Sequence, residues 1–226
     1  MTDSRARLLE SSVHAAFARD LSVEDEPKHT TEMENSRGFM VIPQCVSVAL
    51  VKQLATEFDV DIAKRKPTVC REKYNEYEVS SLGIAVRDDF VKVWIIPGLI
   101  SEHRLRKKQN VEKGMLEPLF STTAVPHQPT SINMGIFHQT HADPSKLKTA
   151  NEEEVYITIA VTDLGQENGW FTLYEGSHQR KPPIGNPVDL NLKAGDAVAW
   201  SGRIVYSHTS GGGGKFITLV YRLRTA

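Results

Sequence analysis

The feature that most constrains this chain is the alternation in VYITIAV, residues 155–161. Val155, Ile157, Ile159 and Val161 fall at every second position. Successive side chains of an extended strand point to opposite faces, so these four share one face. The pattern has company. From about residue 130 onward, short apolar runs are separated by turns: WFTLYEG after the turn GQENG, then the turn-rich GNPVDLNLKAGD, then AVAW, RIVYSH and KFITLVYRL. Regular short strands with Gly and Pro turns predict an all-β sandwich, barrel or jelly roll.

The first half supplies other elements. GFMVIP is an apolar run ended by Pro43, which suits a buried or edge strand. Ser47 is a candidate N-cap, and Leu50, Val51, Leu54 and Phe58 then recur at helical spacing, so VALVKQLATEFDVDIAK predicts a helix that braces one sheet. Residues 66–83 read as irregular. VKVWIIPGLI is apolar but cut by Pro97-Gly98, and the basic HRLRKKQNVEKG after it reads as a solvated face. Residues 1–35 are polar; within them LLESSVHAAFARDL could form a short amphipathic helix and EDEPKHTTEMENS reads as an exposed linker. The expected organisation is a polar N-terminal extension over 1–35 and a single domain over 36–226.

Bulk composition narrows the class of partner. Hydrophobic residues make up 40% and charged residues 24%, the balance of a soluble globular protein. A net charge of −1 gives no footing for nucleic acid or an anionic membrane. No apolar run approaches the ~20 residues of a membrane span, and MTDSRARLLESS carries no secretory h-region. Cys45 and Cys70 form no CxxC pair, so a reduced, cytoplasmic compartment with structural thiols is expected.

Chemistry concentrates in FHQTHAD, residues 137–143. On an extended backbone, residues i and i+2 face the same way, so His141 and Asp143 would offer an imidazole and a carboxylate to one metal. His138 and Thr140 form a competing pair. A neutral Thr140 is a poor ligand, whereas Asp143 neutralises metal charge, so the first pair is favoured and His138 becomes a supporting histidine.

The order of these pieces resembles the phytanoyl-CoA dioxygenase-like branch of the iron(II)/2-oxoglutarate oxygenases. GFMVIPQCVSVALVKQLATEFD is similar to that family's opening strand and helix, and FHQTHAD lies where its HxD motif falls. VTDLGQENGWFTLYEGSH resembles its D…ENG…PGSH segment, with Glu175 in place of the proline. LKAGDAVAWSGRIVYSH followed by KFITLVYRL resembles its GD…H…R ending. The likeness covers most of residues 38–223 and is weak across 60–130.

The resemblance implies a mainly β fold with flanking helices, the cupin-like jelly roll called a double-stranded β-helix. It implies an enzyme, an Fe(II)/2-oxoglutarate-dependent dioxygenase that oxidises a C–H bond of a small organic molecule with O2, 2-oxoglutarate being the co-substrate. The catalytic metal ligands would be His141, Asp143 and a distal histidine. His208 comes two residues later than the family's spacing, where this chain has Tyr206; the two share strand parity, so a two-residue shift or bulge would bring His208 to the metal. The family's arginine for the distal carboxylate of 2-oxoglutarate is matched by Lys215, with Arg222 as the alternative. His178, in the GSH turn, would be structural, Trp170 and Trp200 core residues, and His14, His29, His103 and His127 surface residues. A homodimer or heterodimer is compatible with the chain. Tyr206, Lys215 and the short chain leave room for a non-catalytic partner subunit, and a redox-neutral cupin-like metal enzyme is a third reading.

Overall fold

Two faces of one strand decide the architecture. In a computed structural model, which describes residues 37–91, 129–139, 143, 145–179 and 184–222, VYITIAV lies on strand β5 (Glu154–Ala160). Val155, Ile157, Ile159 and Val161 enter one apolar core with Leu54, Phe58, Val86 and Phe90. Ala160 enters a second core on the opposite face, and Tyr156 packs against it. The sheet is therefore covered on both sides, which is why strands at its centre have few exposed residues. Each fully buried Leu, Ile or Phe in such a layer contributes about 1.5–3 kcal/mol.

The large sheet contains, besides β5, strands β1 (Phe39–Ile42), β2 (Val69–Cys70), β3 (Tyr74–Tyr77), β4 (Ser131–Phe137), β8 (Ala197–Ser201) and β10 (Lys215–Arg222). Its order is β1-β8-β5-β10-β4-β3-β2, every pair antiparallel. The small sheet, order β7-β6-β9, holds β6 (Thr172–Tyr174), β7 (Pro187–Asp189) and β9 (Val205–Ser207). This is the jelly roll that the family resemblance implies, one of the three all-β forms left open by the strand spacing. GFMVIP forms edge strand β1, paired with β8.

Helices brace the outer face of the large sheet. Helix α1 (Val48–Val60) buries Val51, Leu54 and Phe58, as the spacing predicts. Ser47 occupies its N-cap position without a side-chain cap bond; its backbone N–H donates instead to Asp89 Oδ2 at 3.0 Å. Helix α2 (Ser81–Phe90) is capped by Ser80, whose Oγ accepts from Gly83 N–H. A Cβ at Gly83 would lie 2.3 Å from Met134 Sδ, so glycine is what lets α2 sit this close to β4.

The stretch read as irregular, 66–83, instead holds the β2–β3 hairpin and the start of α2. GNPVDLNLKAGD, read as turns, contains β7. The expected N-terminal helix and linker, VKVWIIPGLI beyond its first residue Val91, and the basic run after it lie outside the described residues, as do His14, His29, His103 and His127. The chain divides into two units, Met1–Met33 and Glu34–Ala226, and all described residues belong to the second. Among them no helix is long and apolar enough to cross a membrane.

Candidate active site

The two sheets enclose a cavity of about 470 Å³. Alternation determines what reaches it. From β10, Phe216, Thr218 and Val220 point in, while Ile217, Leu219 and Tyr221 join the helix-side core. Gly135 on β4 faces Phe216 across the ladder, and a Cβ there would lie 2.3 Å from that ring. A polar ladder crosses the cavity wall: Trp200 Nε1–H donates to Thr158 Oγ1 at 3.2 Å, which shares a hydrogen bond with Thr218 Oγ1 at 3.1 Å. Trp170 is buried against Phe137 and Phe171, and both tryptophans line the cavity as well as filling core.

Tyr206, on β9, and His208, one residue past its end, both line this cavity. Phe171 packs against both, tilted to Tyr206 with ring centroids 4.9 Å apart and stacked on His208 at 5.3 Å. Burial, and then the nearby positive charge of Lys148, press the His208 pKa down to about 4. Its imidazole is thus neutral at physiological pH, with a lone pair available. Burial raises the Tyr206 pKa, so that phenol keeps its proton. A neutral imidazole is a ready ligand for a divalent metal, whereas a protonated phenol is a poor one.

Asp143 is an exposed carboxylate whose Oδ1 accepts from Ser145 Oγ at 2.6 Å and Ser145 N–H at 2.9 Å. These bonds hold its carboxyl below the usual range. Asp143 is not among the described residues that line the cavity. His141 lies outside the described residues, and among those described no group of three or more His, Cys, Asp or Glu gathers around one point. His138 Nε2 lies 2.8 Å from the carbonyl of Glu72, to which it must donate, so this ring fastens one loop to another. His178 packs over Gly38, whose φ of +81° and lack of a Cβ admit the ring, and Glu175, standing for the family's proline, pairs with Arg37 at 2.5 Å.

Lys215 stands apart from the cavity. Its Nζ is paired with Asp59 Oδ1 of α1 at 2.7 Å. As the odd-numbered neighbour of inward-facing Phe216, it projects to the helix side of the sheet and is not among the residues lining the cavity. Arg222 has inward parity, but it lies at the exposed end of β10 and pairs with Glu153 at 3.0 Å. The described cations on the cavity wall are Arg71, Lys73 and Lys148. Sequence reading missed Arg71 and Lys73 because REKYNEYE has no apolar alternation; the signal was Tyr74 and Glu76 at one parity, which do line the cavity. Arg71 Nε is 3.0 Å from Glu76 Oε1, and Lys148 pairs with Glu72.

Against known proteins, the model of the phytanoyl-CoA dioxygenase (PhyH) family matches residues 35–212. No curated protein matches the chain by sequence. Solved structures with a similar fold include the non-heme alpha-ketoglutarate-dependent epimerase SnoN from nogalamycin biosynthesis, 15% identical over 88% of this chain and 83% of that one, TM-score 0.57. HygX from Streptomyces hygroscopicus, solved with nickel, 2-oxoglutarate and hygromycin B bound, is 13% identical over 87% and 86%, TM-score 0.55. AviO1 from Streptomyces viridochromogenes Tue57 is 17% identical over 89% and 96%, TM-score 0.54.

Proposed function

The chain belongs to the phytanoyl-CoA dioxygenase (PhyH) family of iron(II)/2-oxoglutarate-dependent oxygenases, and from that premise we propose a substrate class and roles for its side chains. The substrate is a small organic molecule of specialised metabolism, oxidised at a C–H bond. In support, two proteins of similar fold are described as acting in nogalamycin biosynthesis and as holding hygromycin B.

The donor types suit iron, and of the three the described cavity wall holds His208. His208 offers a neutral imidazole and Asp143 an ionised carboxylate; with His141 they make the two-histidine, one-carboxylate set that suits Fe(II). Bound iron and 2-oxoglutarate supply the oxidising power. The chain's own residues bind, orient and exclude water. With Lys215 turned away, Arg71 takes the distal carboxylate of 2-oxoglutarate: among the described residues it is the guanidinium on the cavity wall, and its planar fork can meet a carboxylate with two parallel bonds. The Trp200–Thr158–Thr218 ladder orients polar atoms of the bound molecules, and Tyr74, Phe137 and Phe171 keep water from the reacting carbon.

The observation that carries this reading is His208, presented as a neutral imidazole on the wall of a two-sheet cavity in a chain that matches the family over most of its length. Anaerobic titration with Fe(II) and 2-oxoglutarate tests it. The wild type and Tyr206→Phe should both develop the visible charge-transfer band of the chelate, and His208→Ala should not. No band in the wild type at millimolar metal would overturn the reading in favour of a non-catalytic partner subunit. A band that survives His208→Ala but not Tyr206→Phe would exchange the two roles.

A further inference from the structure

We infer that Lys73 is a positioning residue that fixes where His208 stands, acting from the tip of the β2–β3 hairpin. Lys73 is 1% exposed, and its Nζ donates to the carbonyl of Gly211 at 2.5 Å. Burying a lysine is costly, and a methionine would fill the same volume without that cost. What the amine adds is a grip on the chain three residues beyond His208.

The same hairpin tip holds that chain from its other side. Glu72 pairs through its carboxylate with Lys148. Lys148 in turn exchanges backbone hydrogen bonds with Tyr206, N–H to carbonyl in both directions at 2.9 Å. His208 therefore lies between two fastenings, Tyr206 and Gly211, that lead back to adjacent residues, Glu72 and Lys73. The tip also reaches the start of the HxD segment. The Lys73 carbonyl accepts from His138 N–H at 3.0 Å, and the Glu72 carbonyl accepts from the His138 ring. One turn of chain thus ties the His208 segment to the segment leading into His141 and Asp143.

The run of glycines makes the fastening at Gly211 tight. A Cβ at Gly211 would lie 2.1 Å from the carbonyl oxygen of Gln166, and one at Gly212 would lie 2.4 Å from the backbone nitrogen of Gln139. Gly212 N–H donates to Glu167 O, and Gly213 N–H to Phe137 O. The loop is wedged between the ENG turn and the end of β4, and Lys73 closes the remaining side. Removing the amine would free Gly211 from the hairpin and let His208 drift, while the sheets stay packed.

The consequence for metal binding rests on the iron reading above; the placement of His208 does not. The test uses Lys73→Met in the full chain, with His208 ring signals followed by long-range ¹⁵N–¹H NMR in metal-free protein and Fe(II) affinity by anaerobic calorimetry. Lys73→Met should shift or broaden the His208 ring signals and the Gly212 and Gly213 amides, leave methyl signals of the helix-side core in place, and weaken Fe(II) binding by about tenfold, the range seen when a ligand's support is removed. Unchanged His208 ring signals in folded Lys73→Met would overturn the inference. A wild type that binds no Fe(II) defeats the iron reading alone, since the ring signals still report on Lys73. Should Lys73→Met fail to fold, wild-type hydrogen exchange decides. The amides of His138, Tyr206, Gly212 and Gly213 should open as one unit, within a few-fold of each other; a spread of about 100-fold or more would refute the strut.

Discussion

Replacing Lys215 with methionine separates an ion pair from a co-substrate anchor. Lys215 Nζ lies 2.7 Å from Asp59 Oδ1, and the two side chains are 13% and 66% exposed. A pair with one partner largely in solvent contributes about 0.2–1 kcal/mol. Methionine keeps the apolar stem packed, so the pair is most of what is lost. In a domain of about 150–250 residues, 1 kcal/mol moves Tm by about 2–4 °C, so a fall of about 1–4 °C is expected. Asp59→Asn should cost the same, and the double variant little more than either single one, because both changes remove one interaction. For 2-oxoglutarate the expectation is different. Loss of a charge-assisted bond to its distal carboxylate would cost about 1.5–3 kcal/mol, a roughly 10- to 150-fold weaker Kd. With Lys215 on the helix side of the sheet, Lys215→Met should leave that Kd within about twofold, measured by calorimetry on the anaerobic Fe(II) protein. A tenfold or greater loss of 2-oxoglutarate affinity in Lys215→Met, with Tm unchanged, would refute the strand-parity argument.

Arg71→Gln should weaken 2-oxoglutarate by about 10- to 150-fold, the cost of one charge-assisted bond, while iron stoichiometry stays that of the wild type; an unchanged Kd would remove Arg71 from the role. His141→Ala and Asp143→Ala should each abolish iron binding, read by metal analysis after anaerobic loading; unchanged stoichiometry in both would remove the assignment. Gly135→Ala drives a Cβ to within 2.3 Å of the Phe216 ring and should cost about 1–3 kcal/mol as overpacking, with Phe216→Leu restoring part of it; equal melting temperatures for Gly135→Ala and wild type would contradict the close approach. Burial, then Asp196, pushes the Cys45 thiol up to about 12, while Cys70 is exposed. At pH 8 one thiol, Cys70, should react quickly with a disulfide reagent and Cys45 only on unfolding. Because the folded pKa lies above a thiol's ordinary 9.0, the stability Cys45 contributes is present below pH 9 and is lost as pH rises toward about 12.

The parts of the fold that were legible in the sequence are those where a single apolar face sits at one period. β5, α1 and β10 show their alternation or helical spacing because one side of each packs into the helix-side core. The β2–β3 hairpin was not legible, since the residues it turns toward the cavity are Arg71, Glu72, Lys73, Tyr74 and Glu76, which look like a solvated loop in sequence, although Lys73 and Glu76 are buried. β7 was hidden for a similar reason: it is three residues long, begins at Pro187 and lies at the edge of the small sheet. At the site, the shared face of Tyr206 and His208 followed from counting, because it depends on one strand alone. Which face of β10 meets the cavity did not, because that depends on which of two apolar layers lies inside.

Strand β10 shows how little freedom that choice leaves. It pairs along its length with β4 on one side and β5 on the other, Phe216 opposite both Gly135 and Ala160. A one-residue slip would exchange the faces of the whole strand. Lys215 would then turn inward, but Ile217, Leu219 and Tyr221 would leave the helix-side core, and Thr218 would be carried away from Thr158 into an apolar layer. The Phe216 ring would also lose the space that Gly135 provides. At about 1.5–3 kcal/mol for each large apolar side chain displaced, three such losses approach the whole stability of an ordinary domain. Local breathing therefore cannot bring Lys215 to the cavity, whose described cations, Arg71, Lys73 and Lys148, come from segments outside β10.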